Sequence, residues 1–295
     1  MIPEYPELKP VELADKDEVN KFLELYPPEI CELTFANIYI WRHWEKPQLT
    51  KIKGNLCVFC SPPDEPAYFL EPVGENCLDE TVEVCLGLAP RLSRVSERFL
   101  KKLKGRYSLQ EDRDNFDYVY LTWELAELRG KKYDGKRNWV KRFEKSFKYQ
   151  IKPIEPADVS GCLELVHKWG EASAEYEQEL DERTAATVAA VEEALKNFKL
   201  FGLSAMVVLI DGQVKGFCLG EKLNPETAVV HVELASREIP GLYQFLNREC
   251  ARTVWKQYVY INREQDAGIP GLRRAKLSYH PHHFVKKFNL TWPRG

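Results

Sequence analysis

A run of amide and ionisable side chains, Asn262-Arg-Glu-Gln-Asp266, follows directly on the apolar stretch Val259–Ile261, and Arg273 and Lys276 come shortly after. Polar groups that begin where an apolar run ends are the mark of a buried strand whose tip reaches a surface, and in open α/β sheets ligands bind at such tips. Glu264 and Asp266 could hold the ammonium of a cationic amino acid. Arg273 and Lys276, three residues apart on one helical face, could hold a phosphate or a carboxylate. Ion pairing among these four is the competing reading. Upstream, Glu233 sits inside the apolar run Ala228–Ala235. A carboxylate in a buried strand is costly unless paired, so it needs a partner or a role. It is the candidate general base, or an anchor for an α-amino group, against the alternative of a core ion pair with Arg263 or Arg273. His231, two residues earlier and on the same side of a strand, is a second candidate base, with a packed strand histidine as the plainer reading. Tyr243 and Asn247, four apart on a helix, could line the pocket, and Tyr243 could equally pack in the core.

The elements that must position these groups are legible in the second half. Helices are expected from about Pro156 to Gly170 and from about Glu182 to Phe198, the latter rich in Ala, Glu and Leu. Strands follow at Ser204–Ile210 and Gln213–Lys222, joined by Asp211-Gly212, a two-residue hairpin signal. A third strand, Ala228–Ala235, comes after Asn224-Pro225. A helix starts at Pro240, and a strand covers Tyr258–Ile261. Gly268, Pro270 and Gly271 then turn the chain into a short charged helix, Pro270 suiting its first position. A last strand lies near Phe284–Leu290. In the first half, strands near Lys51–Cys60, Pro66–Glu71 and Phe116–Trp123 and a helix at Glu80–Leu88 are expected, with no comparable polar cluster, so a structural or acceptor-binding role is expected there.

The chain repeats its own beginning. Lys9-Pro-Val-Glu-Leu-Ala-Asp15 returns as Lys152-Pro-Ile-Glu-Pro-Ala-Asp158, 143 residues later. The apolar face Val19, Phe22, Leu23, Tyr26 of the helix that follows aligns at that offset with Cys162, Leu165, Val166, Trp169, and both sets have helical spacing. Asp15 is expected to cap the first helix, with Glu18 as its capping-box partner. Two related modules follow: residues 1–125, and residues 151–295 carrying the candidate site. Between them, residues 126–150 form a basic helical bridge.

Residues 129–148 of that bridge hold nine Lys/Arg against two Asp/Glu in a chain of net charge −3. Trp139, Phe143 and Phe147 recur every four residues, so one apolar stripe is expected to dock while Lys141, Arg142 and Lys145 stay available. A basic strip attracts phosphate, and with aromatic residues interleaved it suits a nucleic-acid backbone; a solvated helix face is the other reading. The expected partner is tRNA or another phosphate-bearing ligand.

The tail pattern Asn262-Arg-Glu-x-Asp-x-Gly-Ile-x-Gly-Leu-Arg-x-Ala-Lys-Leu-Ser-Tyr279 resembles the end of the C-terminal catalytic domain of bacterial phosphatidylglycerol lysyltransferases (the DUF2156 family) and, more closely, that of their soluble relatives. His231-Val-Glu233, Gly241-Leu-Tyr-Gln-Phe-Leu-Asn247, Lys136-Arg-Asn138, Leu33-Thr-Phe-Ala-Asn37 and Trp41-Arg42 extend the resemblance over nearly the whole chain. It implies an α/β (α+β) chain of tandem acetyltransferase-like (GNAT) domains, with mixed, mostly antiparallel sheets flanked by helices, related to the Fem-type transferases that use aminoacyl-tRNA. Catalytic candidates are then Glu233, His231 and Glu264. The candidate substrate-binding set is Arg137, Asn138 and Arg142 from the bridge, Tyr243 and Asn247, and Asn262, Arg263, Asp266, Arg273, Lys276, Ser278 and Tyr279 from the tail.

The donor distinguishes the readings. Ordinary acetyltransferase-like domains hold the coenzyme A pyrophosphate on backbone N–H groups of a glycine-rich loop before a helix. Here that loop reads Arg237-Glu-Ile-Pro-Gly-Leu-Tyr243, and Pro240, which has no N–H, replaces the first glycine. An aminoacyl-tRNA donor with no tightly bound cofactor is expected, acyl-coenzyme A being the alternative donor and a non-catalytic polyanion-binding protein of the same fold the third reading. The acceptor stays open among a lipid head group, a peptide and a small amine.

Composition bounds the rest. The longest apolar run, Phe201–Ile210, is too short to span a bilayer. The first residues show neither a basic flank nor an apolar core, so a cytoplasmic location is expected, with peripheral membrane contact left open. The eight cysteines lie mostly among Leu and Val, where reduced, buried thiols are expected. Cys57-Val-Phe-Cys60 lacks a second ligand pair, and the His280, His282, His283 group lacks further ligands, so no metal site is expected.

Overall fold

The structure, a computed structural model, describes residues 1–177 and 182–293. In chain order the strands are β1 (Lys9–Pro10), β2 (Gln48–Ile52), β3 (Asn55–Cys60), β4 (Tyr68–Phe69), β5 (Leu92–Ser96), β6 (Ser108–Glu111), β7 (Asp117–Leu121), β8 (Tyr149–Pro153), β9 (Ser204–Ile210), β10 (Gln213–Lys222), β11 (Thr227–Ala235), β12 (Tyr260–Asn262), β13 (His283–Val285) and β14 (Lys287–Thr291). The helices are α1 (Lys16–Leu25), α2 (Phe35–Ile40), α3 (Arg42–Glu45), α4 (Leu78–Leu88), α5 (Glu97–Leu100), α6 (Thr122–Glu127), α7 (Asp134–Ser146), α8 (Val159–Glu177), α9 (Glu182–Phe201), α10 (Leu242–Glu249) and α11 (Pro270–Leu277). The expected architecture, mixed sheets flanked by helices, is present.

The chain forms two compact units. The first comprises Met1–Tyr118, Glu264–Lys276 and His283–Gly295, and the second Val119–Arg263 and Leu277–His282. These limits differ from the sequence-based ones: α7 falls inside the second unit, and most of the tail beyond Arg263 falls in the first. The sheet of the first unit runs β1-β2-β3-β4-β5-β14-β6. Its sixth strand, β14, comes from the end of the chain and is antiparallel to both β5 and β6. The second sheet also has seven strands, in the order β8-β9-β10-β11-β12-β7-β13, and here the sixth strand, β7, is supplied by the first half of the chain. Strand for strand the two orders correspond, so the internal repeat is a repeat of topology, completed in each unit by a strand from the other half of the sequence.

The repeated opening builds the same turn twice. The Lys9 ammonium lies 3.0 Å from Glu12 and 2.8 Å from Asp15, and the Asp15 carboxylate accepts the Glu12 N–H at 2.9 Å. The Lys152 ammonium lies 2.8 Å from Glu155 and 3.0 Å from Asp158, and Asp158 accepts the Glu155 N–H at 2.9 Å. This corrects the expected Asp15–Glu18 box. Asp15 ends a 3-10 turn, Leu13–Asp15, so its carboxylate turns back to Glu12, while Glu18 accepts the Ile2 N–H at 2.9 Å.

Local signals place several elements closely. The β9–β10 hairpin has the expected bounds, with Asp211 and Gly212 at φ +50° and +75°, the left-handed pair that a type I′ turn requires. The expected last strand is two strands, β13 and β14. One cysteine expectation fails: Cys218 on β10 and Cys250, just past α10, are joined in a disulfide, because strand and helix pack the two side chains against each other; Cys31, Cys57, Cys60, Cys77, Cys85 and Cys162 are free.

Candidate functional site

Strands β11 and β12 run parallel but pair over three residues only, from Thr227↔Tyr260 to Val229↔Asn262. Beyond that point β11 continues against β10 alone to Ala235, so the two neighbours part. The ladder with β10 carries a bulge in which Leu219 faces Val232 and Gly220 faces Val230, leaving His231 as the extra residue. Gly220 is required there: a Cβ would stand 2.1 Å from the Val229 carbonyl oxygen.

Glu233 lies on the part of β11 that β12 has left. Its Oε1 accepts from Arg263 Nη2 at 2.9 Å, and its Oε2 accepts from Asn247 Nδ2 at 3.0 Å. Arg263 is the first residue after β12, so the guanidinium closes the angle where the strands separate. Asn247 comes from α10, and its buried Oδ1 has no hydrogen-bond partner among the described residues. The Arg263 guanidinium also stacks 5.0 Å from the Tyr279 ring centroid and 5.6 Å from that of Tyr120. The Lys136 ammonium lies 4.0 Å from the Tyr279 ring centroid and donates to Ser278 Oγ at 2.7 Å. Burial holds the Lys136 ammonium below its ordinary range, and the nearby Arg263 charge adds to that. A continuous set of contacts therefore leads from α7 through Tyr279 and Arg263 to Glu233 and Asn247, all within the second unit. Asn262 is buried in β12. Tyr243, on α10, has its hydroxyl held above its ordinary range by burial.

His231 is placed differently. Its Nε2 is 3.0 Å from Glu221 Oε1, and the ring is nearly buried. That is a packed position on the strand, held against Glu221.

The remaining tail candidates form a cluster in the first unit. Asp266 is fully buried, and its carboxylate accepts from Arg273 Nε at 2.8 Å, Arg273 Nη2 at 2.7 Å, Arg113 at 3.3 Å, the Gly268 N–H at 2.9 Å and the Tyr118 hydroxyl. Burial alone would raise its pKa, but these donors outweigh it and leave the carboxyl at about 2. Arg273 also donates to Asp114 at 2.6 Å. Lys276 donates to the Glu264 carbonyl at 3.1 Å and to the Gln265 carbonyl. Arg273 and Lys276 share one face of α11, as their spacing requires, and both bond back onto the loop before it. Glu264, at φ +56°, accepts from Asn37 Nδ2 at 3.3 Å. The early Leu33–Asn37 segment and the tail thus meet at Asn37 and Glu264. Thr34 makes this possible by capping α2, accepting the Asn37 N–H at 3.1 Å.

On the bridge, α7 buries Val140 and Phe143, whereas Trp139 is 42% exposed. The expected stripe is corrected by one position: Val140 and Trp139 both flank Phe143 on the helix, and it is Val140 that is buried with it. Asn138, Lys141, Arg142 and Lys145 are exposed. Arg137 is turned to the backbone, donating to the carbonyls of Leu128 and Gly130 and to Asp134. Sequence reasoning missed a second feature of α7, its seat against the start of α10. A Cβ on Gly241, at φ +87°, would lie 2.3 Å from the Trp139 carbonyl oxygen, and the Phe143 and Phe245 rings meet at a tilt with centroids 4.6 Å apart. The one signal was Gly241 itself, following a proline.

Residues 23–291 match the family described as "Phosphatidylglycerol lysyltransferase, C-terminal". A conserved protein of unknown function from Bacteroides thetaiotaomicron is 32% identical, with a TM-score of 0.88 over 99% of this chain and 100% of that one. L-PGS from Bacillus licheniformis is 14% identical, with a TM-score of 0.65 over 100% and 95% of the two chains. FemX is 10% identical, with a TM-score of 0.54 over 96% of each. The last two likenesses show the fold, and it is the tandem GNAT-like one that the sequence implied.

Proposed function

This chain belongs to the phosphatidylglycerol lysyltransferase C-terminal family, and from that premise we propose that it is an aminoacyl transferase whose second unit holds the aminoacyl end of a charged tRNA beside Glu233. One observation carries the reading: a carboxylate sits where two parallel strands part, next to a buried amide oxygen that accepts from nothing among the described residues. A carboxylate and an amide oxygen together suit an ammonium donor, and an orphaned buried acceptor costs free energy until a ligand supplies one. Glu233 already accepts from Arg263 and Asn247, so we assign it as the anchor of the donor's α-amino group. The exposed basic face of α7, joined to Glu233 through Lys136, Tyr279 and Arg263, is assigned to the tRNA phosphates.

Transfer moves one acyl group. The acceptor's nitrogen or oxygen attacks the ester carbonyl, a bond to that atom forms, the ester C–O bond to ribose breaks, and the acceptor's proton ends on the ribose oxygen. The acceptor is a lipid head group, a peptide or a small amine; no helix among the described residues is long and apolar enough to cross a membrane. Against coenzyme A as donor stand Pro240, which lacks an N–H, and the Trp139 carbonyl packed on Gly241 at the start of α10.

The test is a transfer assay with a mixed pool of tRNAs charged with labelled amino acids. Substituting Glu233→Gln should lower transfer to membrane-extract or amine acceptors at least a hundredfold while the chain stays folded. Unchanged transfer in that variant, or thermal stabilisation by acetyl-coenzyme A but not by a non-hydrolysable aminoacyl-adenosine amide, would overturn the proposal.

A further inference from the structure

The first unit repeats the strand arrangement that parts around Glu233, and there too the parallel pair opens. Strands β4 and β5 pair only at Phe69↔Leu92. Just past their carboxyl ends lies a cleft of about 280 Å³, lined by Tyr26, Leu33, Glu71, Val73, Arg98 and Phe99, among others. The carboxyl ends of parallel strands are where such sheets take ligands. Glu71, two residues beyond the last β4–β5 pair, is the buried acid of this lining. Its Oε2 accepts the Ser96 N–H at 2.7 Å. The charges that act on it are Arg98 and Glu29, of opposite sign. Arg98 itself donates to the Pro27 carbonyl and lies 3.7 Å from Glu29, and Lys102, the other cation of the lining, lies 3.0 Å from Glu75, so both cations are already engaged. Both of its hydrogen bonds, from the Ser96 N–H and the Ser96 side chain, come from neutral groups, and a buried carboxylate held by neutral donors is costly when ionised.

We propose that the first unit carries a binding site of its own, for a small primary amine with an apolar body, in which the ligand's ammonium meets Glu71 and its carbon chain lies against Tyr26, Leu33, Val73 and Phe99. The volume fits a ligand about the size of an amino acid, at the lower end of small-molecule sites. Burial pushes the Glu71 carboxyl up to about 7, against the Ser96 N–H bond that lowers it. Affinity for an amine should therefore rise between pH 6 and pH 8 as the carboxyl ionises. This site does not depend on the transfer reading.

The probe is 3-methylbutylamine, compared with 3-methylbutanol, titrated at pH 8 into the full chain while backbone amide resonances are followed. The amine should give saturable shifts in residues 71–75 and 96–102. Read at residues 71–75 and 96–102, the alcohol on the unaltered chain, and the amine on Glu71→Gln, should each bind at least tenfold more weakly, and the amine should give the same shifts in those residues in Glu233→Gln as in the unaltered chain. Equal binding of amine and alcohol, absence of shifts in those residues, or shifts that vanish in Glu233→Gln would each overturn the proposal. The alcohol comparison keeps the test valid should Glu71→Gln not fold.

Discussion

Arg263 Nη2 stands 2.9 Å from Glu233 Oε1 at the point where β11 and β12 separate, so the residue that ends one strand neutralises the acid carried by its neighbour. Both side chains are largely buried. Removing one member of a buried pair leaves the other charge uncompensated and costs about 3–5 kcal/mol. Arg263→Leu should therefore lower the urea midpoint of the chain markedly. Adding Glu233→Gln to it should restore part of the loss; a double variant no more stable than Arg263→Leu alone would refute the pairing.

Asp266 makes the stability of the chain sensitive to acid. Its carboxyl is at about 2 when folded, below the ordinary value of 3.8. A lowered folded pKa gives stability that is present above the unfolded value and is lost as pH falls through the folded one. The difference is worth roughly 2 kcal/mol, lost between about pH 5 and pH 2. Thermal melts of Asp266→Asn should show a flatter pH dependence over that window than the unaltered chain.

Glu71 works in the other direction. With a folded value of about 7 against 4.5, it binds its proton more tightly when folded. That contribution is complete below the unfolded value and is lost as pH rises through about 7. Glu71→Gln should thus gain on the unaltered chain between pH 5 and pH 8, by up to roughly 3 kcal/mol. A constant difference in melting temperature across that range would count against a protonated Glu71.

Lys287, fully buried on β14, lies 2.7–2.8 Å from both Glu32 oxygens and 2.7 Å from Asp117 Oδ1. Its ammonium occupies the space among Cys31, Glu32 and Asp117 that a metal ion would otherwise suit. Lys287→Met should cost about 3–5 kcal/mol, since Asp117 and Glu32 lose the ammonium they share, Glu32 keeping only Arg94 at 3.7 Å. Denaturant unfolding followed by β14 amide exchange reads both the loss and its location. Unchanged protection in that strand would show that the ion network does not secure it.

Much of the fold was legible because its causes are local. The Asp-Gly turn with flanking apolar runs specified β9 and β10 to the residue, and Pro270 marked the first residue of α11. Spacing also put Arg273 and Lys276 on one face. It could not show that this face would bond to residues 264–266, as it does. Nor could it show that His231 would be taken up by Glu221 across a strand pair, since that partner is set by the β10–β11 register and its bulge.

The sequence by itself determined the number of modules, their repeated opening and the helices and strands of the second, because 3.6- and 2-residue periods and turn residues are written in neighbouring positions. Tertiary structure alone decided that β7 and β14 each complete a sheet begun by the other half. It alone decided that Glu264–Lys276 belongs with the first unit, and that Asn247 brings beside Glu233 an amide oxygen unpaired among the described residues. Those choices depend on which distant surfaces bury each other and on which buried charges find a partner, and residues far apart in the chain leave no periodic trace of either.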